Sequence, residues 1–240
     1  MEKTFSLTQL RAGQDFARDN DFAVTMANYS YVIADKETQD ALLVDPAYDP
    51  AGLLAIVSEK GLKLRGVILT HFHADHAGGT LYSGHSVSIA GIKELLELTD
   101  IPIHAQKKEA EWITKTTSVS QDCLQLHESG DGIELGSTLV TLLHTPGHTP
   151  GSQCVSVGGS LLTGDTLFLR GCGRTDLPGG DSEELYDSLF GLTKKLPPST
   201  FIYPGHDYDT EKSMQLETLT KSNPVLRDVP KEVWVSRFAR

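Results

Sequence analysis

The stretch Thr70-His71-Phe72-His73-Ala74-Asp75-His76-Ala77-Gly78-Gly79 constrains the chain most, because the apolar run Val67-Ile68-Leu69 leads at once into three histidines and an aspartate. Packing alone does not call for that composition. On an extended segment leaving a strand, His71 and His73 lie two apart and point the same way, so both can reach one ion. Asp75 and His76 follow after the chain has begun to turn and aim at a second point close by. Gly78 and Gly79 leave room for the backbone beside such a site. A histidine-rich polar loop is the plain alternative; the combination of ligand type, spacing and a preceding buried strand favours a metal.

Three later segments carry the same design. His148 sits in Thr145-Pro146-Gly147-His148-Thr149-Pro150-Gly151-Ser152, Asp165 in Leu161-Leu162-Thr163-Gly164-Asp165-Thr166-Leu167-Phe168, and His206 in Phe201-Ile202-Tyr203-Pro204-Gly205-His206-Asp207-Tyr208. Each places one donor just past an apolar strand. Taken singly, each also reads as a capping aspartate or a loop histidine. Together with the first cluster they supply five imidazoles and two carboxylates, enough nitrogen and oxygen donors for two divalent first-row ions. His85, His104, His127 and His144 lack this setting and read as surface or strand-packing residues.

The rest of the chain reads as an α/β frame for these strand ends. Phe22 to Asp35 reads as strands, Ala41 to Pro46 as a buried strand, and Asp49 as the N-cap of a helix with Pro50 at its first position, ended by Gly61. Gly66 to Thr70 is the strand that delivers the histidines. Thr80 to Ser86 reads as a loop and Ile89 to Leu98 as a helix; the segment 80–100 is either a wall or lid over the pocket or a surface insertion. Strands at 101–104, 124–127, 138–144, 152–157, 160–163 and 201–203 and helices at 107–113, 181–192 and 210–220 complete the pattern. This order suggests two αβ halves packed sheet to sheet with helices outside. No stretch reads as a linker, so residues 1–240 are expected to form one domain.

A net charge of −11 argues against a nucleic-acid groove and against an anionic membrane surface. No apolar run approaches the length that crosses a bilayer, and Met1 to Leu10 lacks the pattern of a secretory leader. Cys123, Cys154 and Cys172 are too few and too scattered for a disulfide framework or a thiolate site. A cytoplasmic protein acting on a small molecule is the expectation.

Through THFHADHAGG at 70–79, TPGHTPGS at 145–152, GDTLF at 164–168 and PGHDY at 204–208, the sequence resembles the metallo-β-lactamase superfamily. GCGRTD at 171–176 and SEELYDSL at 182–189 are similar to its glyoxalase II and persulfide dioxygenase branch. The resemblance implies an αββα sandwich, a metallo-β-lactamase fold, with metals at its edge. It implies one ion on His71, His73 and His148, a second on Asp75, His76 and His206, and Asp165 between them. Zn2+ stands ahead of Fe2+ as the metal. Two such ions can share a water, lower its pKa and polarise a carbonyl. The implied activity is hydrolysis of a thioester or related acyl ester, as in hydroxyacylglutathione hydrolase, with Asp75 orienting the nucleophile or acting only as a ligand. Arg170, Arg174 and Tyr208 could hold the carboxylates of a glutathione conjugate, although Arg174 could instead brace its loop through Asp176. With 34 residues after His206, the expected C-terminal glutathione-binding extension is hardly present. The alternative is a mononuclear iron persulfide dioxygenase on His71, His148 and Asp165, against which Leu177-Pro178-Gly179-Gly180 departs from that branch's pattern.

Overall fold

The computed structural model describes residues 4–83 and 85–238. In chain order its first half runs β1 (Phe5–Arg11), α1 (Asp21–Met26), β2 (Tyr29–Asp35), β3 (Asp40–Val44), α2 (Pro50–Glu59), β4 (Lys63–Ile68), α3 (Ala74–Ala77), β5 (Gly79–Ser83), β6 (His85–Ile89), α4 (Ile92–Leu98), β7 (Ile103–Gln106), α5 (Ala110–Thr117) and β8 (Leu124–His127). The second half runs β9 (Gly132–Leu135), β10 (Thr138–His144), β11 (Gln153–Val157), β12 (Ser160–Gly164), α6 (Ser182–Lys195), β13 (Phe201–Pro204), β14 (Met214–Gln215), α7 (Leu216–Ser222) and α8 (Lys231–Ser236).

Two six-stranded mixed sheets result, one ordered β1-β2-β3-β4-β7-β8 and the other β14-β13-β12-β11-β10-β9. Between them lies a core that includes Tyr31, Ile33, Leu42 and Ile68 from the first sheet and Leu142, Val155 and Leu162 from the second. On the outer face of the first sheet, Leu53 and Val57 of α2, Ile92 and Leu95 of α4 and Ile113 of α5 pack on Leu43, Val67 and Ile103. On the outer face of the second, Leu185, Leu189 and Leu192 of α6, Leu219 of α7 and Trp234 of α8 cover Cys154, Leu161 and Ile202. Most of β3, the last three residues of β4 and all of β12 are buried on both faces, which explains why ALLV and GVI read as continuous apolar runs. At the far end of β2, Asp35 accepts hydrogen bonds from Ser137 N and Oγ and from Thr138 Oγ1, tying the first sheet to the β9–β10 turn of the second.

The elements differ from the sequence reading in three places. Phe22–Met26 is the helix α1, not a strand: the Asn20 side chain accepts from Phe22 N and Ala23 N, and this cap outweighs the β-favouring Val24 and Thr25. The segment read as a loop from Thr80 is a hairpin, β5 paired antiparallel with β6; Gly84 and the side chain of His85 lie outside what is described. In 210–220 the expected helix begins only at Leu216, because Met214–Gln215 pairs with Phe201–Ile202. The strands β1 and β9 and the helix α8 lack the apolar runs that mark the other elements.

Candidate metal centre

All seven predicted donors meet at one end of the two sheets. Beyond Ile68 the chain bends at Thr70 and runs to His73, whose extended backbone (φ −60, ψ 143) caps the four-residue turn α3 that carries Asp75 and His76. His148 stands in the β10–β11 loop, Asp165 directly after β12 and His206 directly after β13. Donor atoms fall into three overlapping sets: His71, His73 and His148; His71, His76 and Asp165; and Asp75, His76 and His206.

Hydrogen bonds on the outside of the rings decide which nitrogen faces inward. Nδ1–H of His148 donates to the Arg174 carbonyl at 2.7 Å and Nδ1–H of His206 to the Met26 carbonyl at 2.8 Å. His76 Nδ1–H donates to Asp45 Oδ2 at 2.9 Å. Thr70 Oγ1 donates to the same Oδ2 at 2.7 Å, so at 3.0 Å it accepts from His71 Nδ1–H. In these four rings the proton is held outside and the Nε2 lone pair points into the centre. His73 is turned the other way and presents Nδ1, 3.1 Å from His71 Nε2 and 3.0 Å from His148 Nε2.

Unprotonated ring nitrogens this close repel one another unless something positive lies between them. Ligands about 2.0–2.1 Å from a tetrahedral zinc sit roughly 3.3 Å apart, and His76 Nε2 and His206 Nε2 are separated by 3.3 Å. Each also lies 3.3 Å from Asp165 Oδ1, an atom that is buried and receives no hydrogen bond of good geometry. The other oxygen, Oδ2, is 3.7 Å from His148 Nε2. Asp165 thus faces both halves of the cluster, and the donor set fits one or two divalent ions.

The protonation states agree. Burial lowers the pKa of His71 and His148 below the usual histidine range, and neighbouring imidazoles push His71 further down, so both are neutral at pH 7. Burial would raise the carboxyls of Asp75 and Asp165, but the imidazoles of His76 and His206 outweigh it and hold both low. Burial alone would lower His76 and His206, whereas Asp165 and Asp75 raise them.

Two partners of the cluster carry no local sequence signal. Asp45 (4% exposed) holds Thr70 N at 2.8 Å as well as His76, from a backbone with φ +53. Asn28 Nδ2 donates to Asp75 Oδ2 at 3.1 Å, and Tyr48 OH donates to Asn28 Oδ1 at 2.8 Å. Gly173 of the GCGR segment also has a steric role: a Cβ there would lie 2.2 Å from the Asp165 carbonyl and 2.7 Å from His148 Nδ1.

Residues 24–206 match the sequence profile of the metallo-beta-lactamase superfamily. The chain belongs to that superfamily. Among relatives, it is 34% identical to the cytoplasmic hydroxyacylglutathione hydrolase of Arabidopsis thaliana over 82% of this chain and 69% of that protein. It is 33% identical to the mitochondrial persulfide dioxygenase ETHE1 of Bos taurus over 85% of this chain and 74% of that one. Among solved structures, ETHE1 from Myxococcus xanthus superposes with a TM-score of 0.77 at 28% identity, covering 98% of this chain and 90% of the other. The two packed mixed sheets with outer helices are the metallo-beta-lactamase fold of these relatives.

Around this metallo-beta-lactamase centre the three residues suggested for substrate part company. Tyr208 stacks on His206 with ring centroids 4.6 Å apart, and Arg170 pairs with Asp209 at 2.8 Å; both line a cavity of about 120 Å³ with Phe168, Pro204 and His206. Arg174 instead holds Asp176 through two bonds of 2.6 and 2.7 Å, the loop-bracing alternative. His104 and His127 are buried together, 2.9 Å apart, between β7 and β8, and His144 bonds to the Pro150 carbonyl. Cys172 is partly buried against the α6 layer, and burial pushes its thiol up to about 12, so it is no thiolate at neutral pH. Among the described residues no helix is long and apolar enough to cross a membrane.

Proposed function

We propose that this protein is a metal-dependent hydrolase of thioesters or related acyl esters, similar in activity to glyoxalase II and acting on a small molecule such as a glutathione conjugate. The observation that carries this reading is the second donor set, Asp75, His76 and His206, packed against the first with Asp165 facing both. A mononuclear iron site needs only His71, His148 and Asp165 and leaves that second set without a task. Two zinc ions, held by His71, His73 and His148 and by Asp75, His76 and His206 with Asp165 between, would supply a water of lowered pKa and a Lewis acid for the acyl carbonyl.

The chain's own residues account for the remaining steps. Asp75, ionised and steadied by the Asn28 amide, can accept a proton from the attacking water and deliver it to the departing sulfur. Tyr208 keeps its phenol proton, since burial and then Asp165 raise its pKa, and at the cavity mouth it is available to donate a hydrogen bond to substrate. Arg170, at the same mouth, offers a cation to a substrate carboxylate. Residues 1–240 work as one domain.

The second reading, an iron-dependent persulfide dioxygenase, is favoured by the similarity to ETHE1. Metal analysis of the purified protein followed by two assays separates them. Anaerobic thioester cleavage by zinc-loaded protein is the expected result. Oxygen uptake with glutathione persulfide that requires iron, without anaerobic cleavage, would replace it with the second reading.

A further inference from the structure

One carboxylate lies outside the donor cluster but touches both loops that carry it. Glu109 follows β7 at the end of a short 3-10 turn, Lys107–Glu109, and is 1% exposed. Its Oε2 accepts from Phe72 N at 2.7 Å, the amide between His71 and His73. Its Oε1 accepts from Gly151 N at 2.6 Å and Thr149 Oγ1 at 2.8 Å, just beyond His148. Thr149 is itself fixed by Ser152, whose Oγ accepts from Thr149 N at 3.1 Å. A Cβ on Gly151 would lie 2.6 Å from Glu109 Cγ, so the loop approaches the carboxylate as closely as glycine permits.

Burying a carboxylate is costly unless its oxygens are hydrogen-bonded, and among the described residues no basic side chain pairs with Glu109. Its hydrogen bonds come from the two ligand loops. An apolar side chain in the same space between β7 and α5 would avoid that cost but leave the Phe72 and Gly151 amides unpaired. A carboxylate there adds one thing, a fixed spacing between two loops that come from opposite sheets: 70–73 after β4 and 145–152 between β10 and β11.

We infer that Glu109 is a positioning residue for the metal centre: it sets the separation between the His71/His73 loop and the His148 loop, and so the affinity of the site those three imidazoles form. This deepens the proposed ligand reading and rests on it. Glutamine at 109 retains size and shape but has one acceptor oxygen, so an amide NH2 is forced against either Phe72 N–H or Gly151 N–H. One loop is then released. Partners that orient metal ligands typically change affinity about ten- to a hundredfold when replaced.

The test uses the full chain loaded with Zn2+, competed against a chromophoric chelator, with melting curves of the metal-free forms alongside. Glu109→Gln is expected to bind zinc ten- to a hundredfold more weakly while its metal-free form melts as the parent does. Thr149→Val, which removes one of the three bonds at nearly constant shape, is expected to lose several-fold. Glu111→Gln, an exposed neighbour paired with Lys115, keeps parent affinity. If Glu109→Gln does not fold, Thr149→Val decides. Parent affinity in whichever of these two variants folds overturns the inference, as does a loss of affinity in Glu111→Gln of the same size. His148→Ala separates failure of the ligand reading from failure of the brace. Undiminished zinc binding there removes the site itself, whereas lost binding there with full binding in the Glu109 and Thr149 variants removes only the role of Glu109.

Discussion

Replacing Asp45 by asparagine tests how a residue that touches no substrate decides whether His76 can be a ligand. The carboxylate accepts three hydrogen bonds: Thr70 N on Oδ1, and Thr70 Oγ1 and His76 Nδ1–H on Oδ2. An amide can keep its oxygen toward Thr70 N only by turning its NH2 toward His76 Nδ1. That ring must then carry its proton on Nε2, the nitrogen that faces Asp165 at 3.3 Å. Turned the other way, the NH2 opposes the Thr70 amide, and the backbone leading into His71 shifts. Hydrogen bonds to a charged acceptor contribute about 1.5–3 kcal/mol, which corresponds to roughly ten- to a hundredfold in affinity. The expected result for Asp45→Asn is therefore a ten- to hundredfold weaker hold on the ion at the Asp75, His76 and His206 position. Zinc competition gives the affinity, and nitrogen-15 spectra of the imidazoles in the metal-free protein give the tautomer. Parent affinity together with an unchanged His76 tautomer would refute the reasoning.

Three further outcomes follow from geometry already described. Leu142→Ala, in the layer between the sheets and fully buried, is expected to cost about 2–5 kcal/mol in urea unfolding; a cost below about 1 kcal/mol would show that the site collapses without a cavity. Gly173→Ala should lower the zinc content of purified protein, since the added methyl displaces His148 or Asp165; unchanged content would mean the loop yields freely. Burial, and then His127, lowers the pKa of His104 to about 4, while an unfolded histidine titrates near about 6.5. Below the higher value the unfolded chain takes up a proton that the folded one refuses, so stability falls as the pH drops from about 6.5 to 4 and then levels. In His104→Gln that part of the slope should vanish, and equal pH profiles for parent and variant would contradict the burial of a neutral ring.

The donors were readable because each stands beside a strand end within a short, chemically unusual string: HFHADH, PGHTPG, TGDT, PGHD. Their partners were not. Asp45 is one aspartate among many, closing the ordinary run LLVDP, and its importance comes from His76, 31 positions later. Asn28 reaches His206 from 178 positions away, and Glu109 draws its hydrogen bonds from residues 37 to 42 positions off. Such roles arise only from the packing of one sheet on another. Local signals also competed. Val24 and Thr25 favour a strand, yet a side-chain cap at Asn20 made six residues helical; Thr80 to Ser83 looked irregular, yet found a partner strand in the same hairpin. The sandwich itself was accessible because the apolar runs that form its central layer are long enough to stand out, whereas β9, with only Leu135 fully buried, is not.

The two sheets are joined differently at their two ends. At one end Asp35 stitches β2 to Ser137 and Thr138 with permanent bonds. At the other, some seven residues and roughly 20 Å along the same strand, four donors from the first sheet face three from the second, and bonds from Gln153 N to the Thr70 carbonyl and from Phe72 N and Gly151 N to Glu109 cross beside them. Part of that fastening is therefore removable, and a chelator should raise the protease sensitivity of the 70–79 and 145–152 loops before that of the Asp35 end.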